Sequence, residues 1–192
     1  MTFHRLGLVN KNQMGFTLGE LMLALVISGV ITGGVTMTMF QVFEGNIRTS
    51  NHMTAVRQVQ NAGYWVSHDA QMAQTVVLGV PAGSLFTLSW VGWEYPSGSN
   101  TGIDTYEVWY TYVGASDKIR RDQKITTNKY DDDGQLLPGY PTVSESLSFI
   151  AEHITTTPTV TLAGNKLSVT ITASFGEAED ERTYEIRPRA KP

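Results

Sequence analysis

GFTLGELMLALVISGVITGGVTMTMFQVF, residues 15–43, is the stretch that decides how this chain is organised. From Leu21 to Phe43 it carries no charged side chain, and at about 1.5 Å of helical rise per residue it can cross a hydrocarbon core of about 30 Å. The residues before it include basic side chains and no acid, which favours an N-terminus in the cytoplasm. We therefore expect one membrane-spanning helix, with the C-terminal bulk of the chain exported.

One acidic side chain, Glu20, stands at the head of the apolar run. An ionised carboxylate is costly in lipid and is tolerated chiefly where an opposite charge lies within reach. The small residue Gly15 precedes the run, whereas a cleaved secretory signal has its small residues behind a shorter apolar core. Cleavage after Gly15 would remove a short polar leader, keep the helix on the exported protein and make Phe16 the new N-terminus.

The order of these residues resembles the N-terminal signature of type IV pilins and type II secretion pseudopilins. That signature has a short basic leader, Gly at the cut, Phe as the new first residue and Glu fifth after the cut. The resemblance implies that a prepilin peptidase cleaves between Gly15 and Phe16 and that Phe16 is N-methylated. It also implies that Glu20 pairs with the N-terminal amine of a neighbouring subunit during assembly.

Two glycines in the apolar run, Gly29 and Gly33, have the G-x-x-x-G spacing that lets two membrane helices approach closely. The spacing predicts a helix-packing site. A plainer interpretation is that glycine is simply commoner in membrane helices than in soluble ones.

The patterns divide the chain into a leader at 1–15, a membrane and assembly helix at 16–43, an amphipathic continuation of that helix at 44–78, and an exported β-rich head at 79–192. The continuation is predicted from apolar or small residues spaced by three and four. These are Met53, Val56, Val59, Gly63, Val66, Ala70, Ala73 and Val77.

The head has alternating apolar and polar residues and is rich in β-branched and aromatic side chains, which predicts strands. The predicted strands are 85–91, 106–113, 119–125, 159–162, 167–175 and 182–187. We expect one antiparallel sheet packed against the helix, and therefore an α+β fold of the pilin kind.

Parts of the second half look like the larger minor pilins and the J-type minor pseudopilins. The similar segments are Arg57–Gly63 on the helix, the Tyr-x-Val-x-Tyr strand at Tyr106–Tyr110 and the basic pair Arg120 and Arg121. The resemblance implies a subunit at the tip of a filament that helps to start assembly. Its partners would be other pilin or pseudopilin subunits, the prepilin peptidase, the assembly platform of the inner membrane and membrane lipid.

Composition and motifs speak against several other classes of protein. A net charge of −4 and a pI of about 5.5 argue against nucleic acid as a partner. The chain has no cysteine, which excludes disulfides and thiolate chemistry. His68 and Asp69 are adjacent, and consecutive helical residues do not face one another, so they do not predict a catalytic pair. We expect no enzyme and no cofactor.

The alternative to a filament subunit is a membrane-anchored exported binding domain that does not polymerise.

One acidic stretch, Asp131–Gly134, is a weak candidate for a calcium loop, because Ca²⁺ prefers several carboxylate oxygens and a glycine turn. Asp131 and Asp133 are the candidate ligands. The acids are consecutive rather than alternating, so a solvated acidic loop is the favoured interpretation.

Overall fold

The computed structural model describes residues 16–93, 101–131 and 133–189. These residues form one long helix, α1 (Leu18–Met72), and eight strands. The strands are β1 (Thr75–Leu78), β2 (Ser84–Trp93), β3 (Thr101–Val113), β4 (Lys118–Tyr130), β5 (Thr142–Ala151), β6 (Thr159–Ala163), β7 (Lys166–Phe175) and β8 (Ala178–Ile186). The expected α+β class, a long N-terminal helix with antiparallel strands, is confirmed.

The chain divides into two compact units between Asn46 and Ile47. In the first unit every described residue is exposed. The second unit, from Ile47 onward, holds the later part of α1, all eight strands and the hydrophobic core.

The strands form two antiparallel sheets, where the sequence had predicted one. The first has the order β1-β2-β3-β4-β5, and the second has the order β6-β7-β8. The chain leaves the first sheet after Ala151, where His153 adopts a left-handed φ of 59° and Ile154 makes an isolated bridge to Ala173 of β7. Both sheets then contribute buried side chains to one core with α1.

The buried face of α1 is built from small side chains. Ala55, Val59, Ala62, Val66 and Ala70 are all buried, whereas Met53, which was predicted to lie on this face, is 50% exposed. Small side chains let the sheet come close to the helix axis, and the strands supply the larger partners: Phe86, Leu88, Val108, Tyr110, Leu167, Val169 and Ile171.

The helix ends at Met72, so the predicted helical boundary at 78 is wrong. Residues Thr75–Leu78 form β1, which pairs antiparallel with β2 from Thr75 opposite Ser89 to Leu78 opposite Phe86. Thr75, Val76 and Val77 are β-branched in succession, which lowers helix propensity and suits a strand. Val77 therefore belongs to an edge strand and not to the apolar face of the helix.

The other strands agree with the sequence except in two places. Predicted strands 85–91, 106–113, 119–125, 159–162 and 167–175 lie within β2, β3, β4, β6 and β7, and 182–187 overlaps β8. The exceptions are β1, which lies in a segment predicted to be helical, and β5, for which no strand was predicted.

Candidate functional site

The N-terminus of α1 is closed by reciprocal hydrogen bonds between Thr17 and Glu20. A carboxylate oxygen of Glu20 accepts from the backbone N–H of Thr17 at 2.9 Å and from its hydroxyl at 3.1 Å. The backbone N–H of Glu20 donates to the Thr17 hydroxyl oxygen at 3.3 Å. This is a capping box, which satisfies backbone groups that a helix end leaves open. Both donors to Glu20 are neutral, so its negative charge is not compensated by them.

Of the two residues at the predicted cleavage point, Phe16 is described and Gly15 is not. Phe16 is 87% exposed and precedes the helix. Gly15 and the remainder of the predicted leader, 1–15, lie outside the described residues.

The apolar part of α1 carries its large side chains on all sides. Leu25, Val30, Val35 and Phe40 are each more than 60% exposed. By length and composition the helix is able to cross a membrane, and none of its most apolar window is buried within the chain. Exposed apolar surface of this extent is typical of a region that contacts a membrane or another protein.

Gly29 and Gly33 lie together on one side of this helix. They line a shallow groove with Leu25, Ser28, Thr32, Thr36, Met37 and Phe40. A Cβ atom added at either glycine would meet nothing within 4 Å. Glycine in a helix interior costs about 1 kcal/mol relative to alanine, and no described contact of this chain makes glycine necessary at these two positions.

In the second unit, a buried ion pair joins α1 to the first sheet. Asp69 of α1 accepts from the guanidinium of Arg121 in β4 at 2.7 Å and 3.1 Å. The hydroxyl of Tyr110 in β3 donates to the same carboxylate at 2.5 Å. The side chains of Asp69 and Arg121 are only 2% and 9% exposed. The cluster fixes the rotation of the helix above the sheet, because all three groups must meet to be satisfied.

Burial and the carboxylate together set the electrostatics of this cluster. Burial, reinforced by the charge and hydrogen bond of Asp69, raises the pKa of Tyr110 well above its ordinary value. For Arg121, burial alone would lower the pKa, but the hydrogen bond and charge of Asp69 outweigh it and raise the pKa. At neutral pH Tyr110 is therefore protonated and Arg121 is charged.

An open cleft lies beside the ion pair, lined by Trp65, His68, Met72, Trp90, Gly92, Tyr106 and Gln123 in addition to Asp69 and Arg121. The rings of Trp90 and Tyr106 stack with centroids 5.3 Å apart, and the Arg121 guanidinium lies 5.0 Å from the centre of the Trp65 ring. Contrary to the prediction for adjacent helical residues, Nδ1 of His68 lies 3.4 Å from a carboxylate oxygen of Asp69. That carboxylate is already held by Arg121 and Tyr110, so the contact with His68 is a local one within α1 and does not resemble an activated base.

The structural role of Asp69 was not predicted. In the sequence Asp69 stands beside His68, and Arg121 belongs to a distant basic segment, so no local pattern joins the two. One signal was present: Asp69 precedes Ala70 within the predicted apolar stripe, and an acid at the border of a buried helix face needs a cationic partner.

The acidic loop is arranged as a turn. One carboxylate oxygen of Asp131 accepts from the backbone N–H of Asp133 at 3.1 Å and of Gln135 at 2.7 Å. This is the local hydrogen bonding expected of aspartate in a turn. Asp132 lies outside the described residues, and the residues that are described contain no group of three or more His, Cys, Asp or Glu placed to hold a metal ion.

Comparisons with models of known protein families, with curated proteins and with solved structures found no match to this chain.

Proposed function

We propose that this chain is a structural subunit of a filament of the type IV pilus or type II secretion pseudopilus kind, anchored in the inner membrane before assembly. The observation that carries the proposal is the first part of α1, whose large apolar side chains are exposed on every side. In the membrane these side chains contact lipid, and in a filament they contact the same helix of neighbouring subunits. The exported part displayed on the filament surface is the whole second unit, from Ile47 onward, which includes the later part of α1 and is called the head from here on.

The details of the helix favour packing against other helices over a simple tether. A tether needs only length and apolarity, and alanine would serve it better than Gly29 and Gly33, where the chain leaves open space. Close approach by a neighbouring helix would explain both residues. The described donors to the Glu20 carboxylate are both neutral, and the amine of a processed Phe16 from the adjacent subunit would supply a positive partner.

The first test concerns processing. In cells that contain a prepilin peptidase, we expect the mature protein to begin with N-methylated Phe16, and Gly15→Leu to leave the leader attached. Mass spectrometry of the purified protein measures both. A mature wild-type protein that still carries residues 1–15 would overturn the proposal.

The second test separates the charge of Glu20 from its role in the capping box. Glu20→Gln keeps a side chain able to accept from Thr17 but removes the charge, whereas Glu20→Ala removes both. If charge pairing drives assembly, both variants insert into the membrane and both are lost from sheared filaments. Normal assembly of Glu20→Gln would refute charge pairing while leaving the capping box intact.

A second candidate function is a membrane-anchored binding domain that stays monomeric. The open cleft beside Trp65, Trp90 and Tyr106 favours it, because aromatic walls with a few polar groups are typical of ligand sites. Gly29→Leu distinguishes the two. If the chain is a filament subunit, the variant should be lost from sheared filaments, because the leucine clashes with a neighbouring helix. If the helix is only a tether, the variant should insert into the membrane and function like the wild type. Ile31→Leu, which conserves volume on the same helix, is the control.

A further inference from the structure

The outer edge of the first sheet is open along most of β5. In the described part of the chain, β5 pairs only with β4 and lies at the end of the strand order. Two helix residues cover its last part: Asn61 donates to the carbonyl of Ile150 at 2.6 Å, and the side-chain oxygen of Gln58 accepts from the backbone N–H of Glu152 at 2.9 Å. From 142 to 149 every residue is exposed.

This open part of the edge carries an apolar row on one face. Val143, Leu147 and Phe149 are 54%, 57% and 52% exposed. They face away from α1, because Ser148 is the register partner of Arg121, which points to the helix, and neighbouring strand residues alternate. The opposite face of this part of the edge carries only hydroxyl side chains, Thr142, Ser144, Ser146 and Ser148.

The edge has few of the devices that usually prevent strand addition. Exposed edges are ordinarily protected by charged side chains, above all lysine, by proline, by a bulge or by very short length. Residues 142–149 contain no lysine, arginine or proline, their one charged side chain is Glu145, and the irregular pairing between β4 and β5 comes after Phe149. An apolar edge of this length with a single charge is suited to pairing with a strand of complementary charge.

Charges across the sheet indicate what that strand carries. Glu107, Lys124 and Glu145 are successive register partners on β3, β4 and β5, so they share one face in the order acid, base, acid. Glu145 takes part in none of the ion pairs of the described residues. A base opposite Glu145 would continue the alternation, whereas an acid there would be repelled.

We propose that the open edge of β5 accepts an extended strand from a partner protein, with apolar side chains opposite Val143, Leu147 and Phe149 and Lys or Arg opposite Glu145. Main-chain hydrogen bonds hold the strand in place, and the alternating side chains select it. The site belongs to the head alone and does not depend on the proposed filament function.

Two synthetic peptides test the proposal on the full chain in detergent micelles. One has the sequence Thr-Val-Thr-Ile-Thr-Lys-Thr-Val-Thr, which sets Lys opposite Glu145 in antiparallel pairing, and the other has Glu in place of Lys. Fluorescence anisotropy of labelled peptides should show binding of the Lys peptide at least about threefold tighter than binding of the Glu peptide. Glu145→Lys, an exposed substitution, should reverse that order.

Leu147→Lys should abolish binding of both peptides, while Val91→Lys, at an exposed apolar residue of the inner strand β2, should leave binding unchanged. Hydrogen exchange of the amides of 142–149 should slow when the Lys peptide binds. Equal binding of the two peptides, no reversal by Glu145→Lys, or binding that survives Leu147→Lys would each overturn the proposal. Concentration-dependent dimers of the full chain that Leu147→Lys dissolves would also overturn it, because the edge would then pair with a second copy.

Discussion

Asp69 joins α1 to two strands of the first sheet through one buried carboxylate. Its carboxylate satisfies Arg121 and Tyr110 at once, and it is almost fully buried. A buried ion pair adds little net stability compared with apolar packing, but removal of one partner leaves the other charge buried and unpaired. The main role of Asp69 is therefore to fix the position of α1 on the sheet, and the ion pair adds little to the net stability of the fold.

Asp69→Asn should lower the free energy of unfolding of the head by about 3 kcal/mol, because Arg121 keeps its charge and loses its counter-charge. Denaturant titration of the full chain in detergent, followed by tryptophan fluorescence, measures the change. His68→Gln is the matched control: its side chain is 44% exposed, and the effect should stay within about 0.5 kcal/mol. Equal effects of the two substitutions would contradict the assigned role of Asp69.

Tyr110 makes the stability of the head depend on alkaline pH. Its pKa is raised in the folded protein, so above the ordinary tyrosine value of about 10 the unfolded chain loses a proton that the folded chain keeps. Stability is therefore fully present below pH of about 10 and falls above it, by up to about 1.4 kcal/mol per pH unit for this one proton. Tyr110→Phe should reduce the slope by that amount. Burial also raises the pKa of Tyr184, so a smaller slope should remain in the variant.

At the scale of elements, the helix was predictable over most of its length and its end was not. The charge-free run and the spacing of Val59, Val66 and Ala70 follow directly from the sequence. The helix ends at Met72 because the following residues pair with β2 as strand β1. A sequence pattern over a few residues does not predict that pairing. β5 was missed for a related reason: strands are recognised by a buried face, and most of β5 has none.

Gly63 shows how tightly one element is fitted to another. A Cβ atom at this position would clash with the ring of Tyr184 in β8, whose hydroxyl donates to the carbonyl of Val59 at 3.1 Å. Gly63→Ala should therefore destabilise the head by about 1–3 kcal/mol, although alanine is the better helix former. Gly45→Ala, where added volume meets nothing, is the control. A more stable Gly63→Ala head, measured by the same denaturant titration, would contradict the fit between α1 and β8.

For the molecule as a whole, the sequence indicated the α+β class and an apolar N-terminal helix, while the division of the strands into two sheets required the structure. The division depends on residues 152–158, where the left-handed His153 redirects the chain. The candidate functional residues were likewise predictable from the sequence only in part. Glu20 was recognised from its isolation in an apolar run, whereas the partners of Asp69 are far away in the sequence and no local pattern joins them.

The absence of cysteine allows a clean test of membrane topology. Ala115→Cys places a thiol in the exposed turn between β3 and β4, and Thr32→Cys places one in the apolar run. In intact spheroplasts, a membrane-impermeant maleimide should modify the first variant, and the second only after detergent is added, as gel shift would show. Protection of Ala115→Cys until detergent is added would contradict an exported head.

The contact between Tyr184 and the helix joins parts of the chain that the ribosome makes at widely separated times. Until β8 has been synthesised, the helix surface around Val59 and Gly63 is not covered by Tyr184, even if the first sheet is already complete. A nascent chain halted before Tyr184 would therefore expose this part of the helix to chaperones and proteases. Recognition of incomplete chains by these proteins would then depend on whether the final strand, β8, has packed.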